Sequence, residues 1–299
     1  MTVGRLAIIG VGLIGGSLAR ALRRAGEVEE IVGCGRSREN LEKAVELGVI
    51  DRYVHSPAEA VHGADTVFVA VPLGAMKPVF SAIRQGLSAD AVITDGGSAK
   101  GSVVADCRVA CGDDLLPRFV PGHPIAGTER SGVEASVEDL FEHRRVILTP
   151  LPETNPDAVK RVSAMWRSCG AEISVMSVAH HDEVLGATSH LPHMLAFGLV
   201  DALARMKEND EIFRYAAGGF RDFTRIASSN PVMWRDICIA NRDALARMLG
   251  HFAEEMADLA ETIANADGDH LLEIFERAKA ARDRFVDGAS ADSDEANAG

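Results

Sequence analysis

The chain has 299 residues, 47% of them hydrophobic and 25% charged, which is typical of a globular protein with about two domains. Its 44 acidic and 31 basic side chains give a net charge of −13, which argues against general binding to nucleic-acid phosphates. No stretch reaches the ~20 apolar residues of a membrane span, and the N-terminus lacks a signal-peptide pattern. Because the five cysteines are scattered and odd in number, we expect no disulfide framework and a cytoplasmic protein.

Short apolar runs alternate with helical patterns through the first half of the chain. The predicted strands cover residues 6–10, 31–34, 65–71, 91–94, 119–121, 146–149 and 172–175. The predicted helices cover residues 13–24, 38–46, a segment from about residue 98, and 156–169. This alternation predicts an α/β Rossmann-type fold with a doubly wound parallel sheet and right-handed crossovers.

The pattern changes near residue 177, after which helical periodicity replaces the strand signal. Three long helical regions are predicted, over residues 180–206, 233–264 and 269–285. We therefore predict an α/β domain over residues 1–176, an all-α domain over 177–287, and an acidic, disordered tail over 288–299.

The sequence GVGLIG follows the first predicted strand and opens the first predicted helix. Gly10 would allow the tight turn, Gly12 a close approach of the backbone to a pyrophosphate, and Gly15 close packing of helix and strand. The helix N-terminus would supply free N–H groups for phosphate. The alternative is a glycine-rich turn that only permits tight packing. We predict a dinucleotide site at these glycines, completed by Leu13, Ile14, Val71 and Pro72.

The residues after the second predicted strand bear on the choice of nucleotide. An NAD site usually has a carboxylate there for the ribose 2′-hydroxyl, but this chain has Gly35. Arg36, Ser37 and Arg38 follow, and guanidinium and hydroxyl groups are suited to a 2′-phosphate. The pattern favours NADP, with NAD possible; the alternative is a basic helix start that faces solvent.

Four motifs carry the remaining unusual polar groups: DGGSAKG, GHPIAGTERSG, SHLPHMLA and GGFRDFTRIASSNPVMWRD. The first two place polar side chains where a strand opens into a loop, which is where ligands bind in open α/β sheets. Together and in this order, the motifs resemble those of prephenate dehydrogenases, a family that includes arogenate and cyclohexadienyl dehydrogenases. The resemblance runs from residue 5 to about residue 285.

This resemblance implies an oxidative decarboxylation of prephenate or arogenate in tyrosine biosynthesis, performed by a homodimer formed through its helical domain. His123 would take the substrate hydroxyl proton, and Ser98 would hydrogen-bond nearby. Imidazole suits this task because its ordinary pKa of about 6.5 lies near working pH. On sequence alone, His123 could equally cap backbone groups. The family match also implies a set of substrate-binding residues: His190, Arg225, Arg221, His193, Glu129 and Trp234.

Two other interpretations remain open at this point. One is another two-domain Rossmann dehydrogenase, of the hydroxyacid or imine type, which would carry a catalytic Lys or Asp on the interdomain helix. The other is a catalytically inactive dinucleotide-binding protein. The adjacent His180 and His181 lack a third ligand at useful spacing, so they predict a helix start and no metal site. Glu134 is a possible partner for the ammonium group of arogenate, or simply a solvated loop carboxylate.

Overall fold

A computed structural model of the chain describes residues 3–128, 130–207 and 209–297. Its main sheet has six parallel strands in the order β3-β2-β1-β4-β5-β6, so the chain winds outward in both directions from β1. This confirms the predicted doubly wound parallel sheet. The strands are β1 (Val3–Ile9), β2 (Val28–Cys34), β3 (Arg52–Val54), β4 (Thr66–Val69), β5 (Val92–Asp95) and β6 (Phe119–Val120).

Helices cover both faces of this sheet, which explains why its strands read as nearly continuous apolar runs. Leu6 and Ile8 pack on one face, whereas Ala7 and Ile9 pack on the other. The helices of this half are α1 (Leu13–Ala25), α2 (Arg38–Glu46), α3 (Pro57–Ala60), α4 (Met76–Ile83), α5 (Lys100–Cys111) and α6 (Pro156–Ser168). Because the strands are parallel, the loops that follow them all lie at the same edge of the sheet, at the carboxyl ends of the strands.

A second, three-stranded sheet stands apart from the first. It consists of β7 (Gly122–Pro124), β8 (Arg145–Leu148) and β9 (Glu172–Val175), with β7 antiparallel to β8 and β8 parallel to β9. The strands predicted near residues 146 and 172 therefore pair here rather than extending the main sheet. The sequence pattern missed β3 and β7 because three residues are too few to show a periodicity.

The rest of the chain is helical, as predicted. It begins with α7 (Val178–Leu185), a π-helical turn (Gly186–His190) and α8 (Leu191–Ala204). The remaining helices are α9 (Asn209–Arg214), α10 (Gly218–Thr224), α11 (Pro231–Ala240), α12 (Arg242–Ala264) and α13 (Gly268–Asn297), with a 3₁₀ turn at Arg225–Ser228. Asn241 separates α11 from α12, so the helix predicted over residues 233–264 is two helices.

Helix α13 overlaps the segment predicted as a tail, whose disorder stays a prediction. Helix α13 continues through Asn297 instead of ending near residue 287. The segment has no proline after residue 231, and its alanines favour helix, so nothing in it forces the helix to end.

The chain packs as two compact units, Met1–Leu245 and Ala246–Gly299. Helices α7 to α11 thus belong to the same unit as the sheets. The domain boundary predicted at residue 176 remains a prediction. Among the described residues, no helix has the length and apolarity to cross a membrane.

Candidate active site

The three glycines of the first loop meet three different environments. Gly10 has a φ of +103°, and a Cβ built there would lie 2.2 Å from the Ala70 carbonyl oxygen. A Cβ at Gly15 would lie 2.2 Å from the Gly10 carbonyl oxygen, whereas one at Gly12 would meet no atom within 4 Å. Helix α1, which begins with Leu13 and Ile14, has no side-chain cap and no acidic residue in its first turn. The open space beside Gly12 and the uncapped helix N-terminus fit a pyrophosphate.

Asn40 holds this loop in place. Its Nδ2 donates to the Val11 carbonyl oxygen at 2.7 Å, and its Oδ1 accepts from the Val133 N–H at 3.0 Å. Val71 lies beside Gly10, and Pro72 is exposed at the following turn. The same contact places Glu134, in the 3₁₀ turn Val133–Ala135 that packs on α1 and α2, beside the glycine loop.

Arg36, Ser37 and Arg38 follow β2 and differ in whether their side chains already have a partner in the described part of the chain. Ser37 caps helix α2 by accepting from the Asn40 N–H at 3.2 Å, and Arg38 Nε donates to Glu42 Oε1 at 2.7 Å. Arg36 is exposed and has no hydrogen-bond or ion-pair partner within the described part of the chain. His55 also lies here, with its Nδ1 3.0 Å from the Gly35 carbonyl oxygen. Sequence reasoning missed His55 because it follows the undetected strand β3.

A buried ion pair fixes the strand that carries His123. Lys100 Nζ lies 2.5 Å from Asp95 Oδ2, and both side chains are 0% exposed. The same Lys100 Nζ donates to the Gly122 carbonyl oxygen at 2.6 Å, and the Gly122 N–H donates to Asp95 Oδ1 at 3.1 Å. Burial lowers the pKa of Lys100, and Asp95 opposes that effect. Asp95 and Lys100 both belong to the motif DGGSAKG, so this motif contacts Gly122, the residue before His123. Ser98 of the same motif is half-buried.

His123 contacts His181, which in turn contacts Asp182, and the sequence analysis assigned no functional role to either residue. His123 Nδ1 lies 2.9 Å from Nε2 of the fully buried His181, and His181 Nδ1 lies 2.8 Å from Asp182 Oδ1. The Asp182 carboxylate accepts the Lys100 N–H at 2.7 Å and the Gly101 N–H at 2.8 Å, at the start of α5. Burial alone would raise the pKa of Asp182, but His181 and these two N–H groups hold it below its usual range.

The electrostatics of the site keep His123 and His190 neutral. Burial, and then the neighbouring His181, Lys100 and His190, lowers the pKa of His123 well below its ordinary value. Burial also lowers the pKa of His190 to about 4, against the opposing charge of Asp182. A neutral His123 is a proton acceptor at physiological pH, as a general base requires.

His190 has its hydrogen-bonding role fixed by Asn241. Asn241 Nδ2 donates to the Asp182 carbonyl oxygen at 2.8 Å and lies 3.1 Å from His190 Nδ1. Because an amide NH₂ only donates, His190 accepts at Nδ1 and carries its proton on Nε2. His190 Nε2 and Trp234 Nε1 are buried without a hydrogen-bond partner in the described part of the chain. Both N–H groups are thus available to donate to a bound acceptor.

Trp234 is both a core residue and a wall of this site. It stacks on His193 with ring centroids 3.5 Å apart and meets His190 edge-on at 6.1 Å. His193 Nδ1 lies 2.8 Å from the Ser189 carbonyl oxygen. Burial lowers the pKa of His193, the Ser189 carbonyl opposes this, and the positive charge of Arg225 lowers it further. The 3₁₀ turn that begins at Arg225 packs against α8 and thus places Arg225 near His193.

Arg221 is exposed on α10, and Glu129 lies outside the described residues. Within residues 3–128, 130–207 and 209–297, no three His, Cys, Asp or Glu side chains are grouped to hold a metal ion.

Comparison with known proteins agrees with this geometry. Residues 18–175 match the family model "Prephenate dehydrogenase, nucleotide-binding domain", and residues 177–277 match "Prephenate dehydrogenase, dimerization domain". The chain is 40% identical to the cyclohexadienyl dehydrogenase of Zymomonas mobilis over 281 residues, 93% of this chain and 94% of that one.

Solved structures give the same result. Prephenate dehydrogenase from A. aeolicus, in complex with hydroxyphenyl propionate and NAD+, superposes with a TM-score of 0.86 at 40% identity, covering 94% of this chain and 97% of that one. Synechocystis arogenate dehydrogenase superposes with a TM-score of 0.80 at 28% identity, covering 94% and 99%. The chain belongs to the prephenate dehydrogenase family and is an NAD(P)-dependent dehydrogenase.

Proposed function

We propose that this protein oxidatively decarboxylates prephenate, arogenate or both, yielding 4-hydroxyphenylpyruvate or tyrosine. The observation that carries the proposal is a half-buried, neutral His123, which lies just after the carboxyl end of β6 and faces His181 through Nδ1. A hydroxyacid or imine dehydrogenase of similar architecture would need a Lys or Asp on the interdomain helix, where this chain has His190 and His193. An inactive nucleotide-binding protein would have no use for the buried donors.

His123 removes the proton from the ring hydroxyl through its Nε2. Bound NAD(P)+ supplies the acceptor for the hydride that leaves the carbinol carbon as the ring carboxylate departs as carbon dioxide. Ser98, which belongs to the same motif as the Asp95–Lys100 pair, would hydrogen-bond beside His123. Because His123 is neutral before the reaction and becomes charged during it, the nearby Asp182 carboxylate favours the charge that develops.

The substrate is held by cations and neutral donors of the helical half. Arg225 would bind a substrate carboxylate, since a guanidinium pairs with carboxylate through two parallel hydrogen bonds. His190 Nε2–H and Trp234 Nε1–H would donate to further substrate oxygens. His193, stacked on Trp234, would form the wall beside them.

The test of the reaction crosses two substrates with two nucleotides. Purified protein is mixed with prephenate or arogenate and with NAD or NADP, and nicotinamide reduction is followed by absorbance. We expect reduction in at least one combination. If neither substrate supports reduction of either nucleotide, the proposed reaction is wrong.

We propose NADP as the preferred nucleotide. Support comes from Gly35, which offers no carboxylate to a ribose 2′-hydroxyl, and from the exposed Arg36 without a partner among the described residues. Each charge-assisted hydrogen bond to a 2′-phosphate is worth about 1.5–3 kcal/mol, which gives a preference of about one to three orders of magnitude in kcat/KM. Solvent screening and the Arg38–Glu42 pair favour the low end.

Two arginine variants test this choice. Arg36→Ala should raise the KM for NADP about tenfold or more and leave the KM for NAD unchanged. Arg38→Ala is the matched control and should have the smaller effect, because Glu42 already pairs with Arg38. Arg36→Ala together with Arg38→Ala should abolish the preference. Equal or better use of NAD by the unmodified protein would show that the arginines only face solvent.

We also propose a homodimer formed through a domain that begins near residue 177. The family models change over between residues 175 and 177, and the second is described as a dimerization domain. Helices α12 and α13 expose large apolar side chains, as a covered interface requires: Leu249, Met256, Ile263, Leu272 and Phe275. A monomer at micromolar concentration in light scattering would contradict the proposal.

A further inference from the structure

We propose that His181 is a positioning residue, which holds His123 in the tautomer protonated on Nδ1 so that its Nε2 can accept the substrate proton. The purpose of this arrangement rests on the proposed reaction, but the tautomer itself follows from the hydrogen bonds around His181. Three linked groups, Asp182, His181 and His123, fix this tautomer in turn.

The first link is the Asp182 carboxylate, which is fixed as an acceptor. Backbone N–H groups can only donate, and two of them, from Lys100 and Gly101, point at Oδ1 and Oδ2 at 2.7 and 2.8 Å. They are the first N–H groups of helix α5, whose N-terminus also favours negative charge. Asp182 therefore stays ionised and accepts from His181.

The second link is His181 itself. Its Nδ1 lies 2.8 Å from Asp182 Oδ1, so the ring carries its proton there and leaves a lone pair on Nε2. That Nε2 lies 2.9 Å from His123 Nδ1, and the ring centroids are 5.1 Å apart at an interplanar angle of 61°. His181 is 0% exposed, so no water competes for either nitrogen.

The third link is His123. Facing a lone pair at 2.9 Å, its Nδ1 carries the proton and its Nε2 is left unprotonated. Imidazole in water prefers the opposite tautomer, with the proton on Nε2, which would present a donor to the substrate hydroxyl instead of a base. A carboxylate fixes a catalytic histidine in the same manner in serine-hydrolase triads. Here an imidazole stands between the carboxylate and the base, and the carboxylate also ties α7 to α5.

The direct test reads tautomers by nuclear magnetic resonance. The full-length protein is labelled with ¹⁵N-histidine, and long-range ¹H–¹⁵N spectra are recorded at neutral pH without substrate. The His123→Asn variant identifies the His123 signals by their loss. We expect His123 as the Nδ1–H tautomer in the unmodified protein. Observation of the Nε2–H tautomer would overturn the proposal.

The kinetic test compares substitutions at two neighbouring positions. His181→Phe keeps the ring volume but removes both nitrogens, and we expect kcat to fall about 10²-fold while the KM for nucleotide changes little. His181→Gln retains a carbonyl that can accept from His123 Nδ1–H, and should recover about tenfold of that loss. His180→Phe is the control, because the adjacent His180 is exposed on the same helix.

Each outcome decides the role of His181. A His181→Phe variant with kcat within about threefold of the unmodified protein, or with His123 still held as Nδ1–H, would overturn the proposal. If His181→Phe does not fold, the His181→Gln rescue and the spectrum of the unmodified protein decide instead. If the unmodified protein turns over neither ring substrate, the proposed reaction fails, yet the spectrum still tests the tautomer.

Discussion

The nucleotide side and the substrate side of the active site are built in different ways. The nucleotide side uses backbone from one short segment, in which Gly10, Gly12 and Gly15 shape a turn and a helix N-terminus. The proposed substrate side uses side chains from distant segments, such as the half-buried His123 and the buried His181, which lie 58 residues apart in sequence. Recognition by backbone can therefore be inferred from a local pattern, whereas recognition by side chains depends on the completed fold.

The largest effect is expected on kcat, from substitution of His123 on the substrate side. His123→Asn should lower kcat by about 10²–10⁴-fold, because a general base typically contributes that much. The KM values for nucleotide and substrate should change little, since the proton moves only as the reaction proceeds. Steady-state kinetics with each substrate varied in turn measures both. A variant with nearly unchanged kcat would remove His123 from this role.

The next effect concerns substrate binding at Arg225. Arg225→Ala should raise the KM for the ring substrate about 10–150-fold, the equivalent of one charge-assisted hydrogen bond of 1.5–3 kcal/mol. The KM for nucleotide should not change, because Arg225 belongs to the helical half. Arg221→Ala, on the preceding helix and exposed, is the comparison and should have the smaller effect. An unchanged KM in the Arg225 variant would mean that this arginine is structural.

Substitutions at Gly12 and Gly15 distinguish a glycine needed for nucleotide binding from one needed for packing. Gly15→Ala places a methyl group against the Gly10 carbonyl and should lower the free energy of unfolding by about 1–3 kcal/mol. Gly12→Ala meets no protein atom within 4 Å, so it should leave stability unchanged and weaken nucleotide binding. Urea denaturation without nucleotide, together with the KM for NAD(P), separates the two effects. Equal destabilisation by both substitutions would show that Gly12 serves packing rather than binding.

The smallest effect is a loss of stability in mild acid. The pKa of His190 is lowered to about 4 in the folded protein, below its value in the unfolded chain, so the unfolded chain binds the proton first as pH falls. The free energy of unfolding should thus fall by about 2 kcal/mol between pH 7 and pH 5 from His190 alone. The lowered pKa values of His123 and His193 act in the same direction. Urea denaturation across this range checks it, and a flat profile would contradict buried neutral histidines.

Local signals were sufficient for most of the sheet half of the fold. Helix α2 was predicted with the bounds found in the structure, because Ser37 caps it and Leu41 and Ala44 form a buried stripe. The break at Asn241 was not predictable in this way. No glycine or proline marks it, and its side chain bonds to the main chain of Asp182, 59 residues away.

The same limit applies to the site. The motif around Ser98 was recognised, but not that Asp95 and Lys100 form a buried pair that holds the strand before His123. His180 and His181 lack a third ligand at useful spacing, so the sequence predicts only a helix start at His181. Its functional contacts join it to His123 and, through Asp182, to the N-terminus of α5, and no spacing in the sequence encodes such contacts.

The π-helical turn Gly186–His190 has a consequence for the angular phase of the helices around it. In an uninterrupted α-helix with 3.6 residues per turn, His181 and His190 would point in opposite directions, because nine positions correspond to two and a half turns. One additional residue in a wide turn rotates everything after it back by about 100°. The turn thus acts as a one-residue insertion that brings His190 round to the side where Asn241 reaches both it and Asp182. Deleting Ala187 would reset the phase and turn His190 away from Asn241, while the helices themselves could still form.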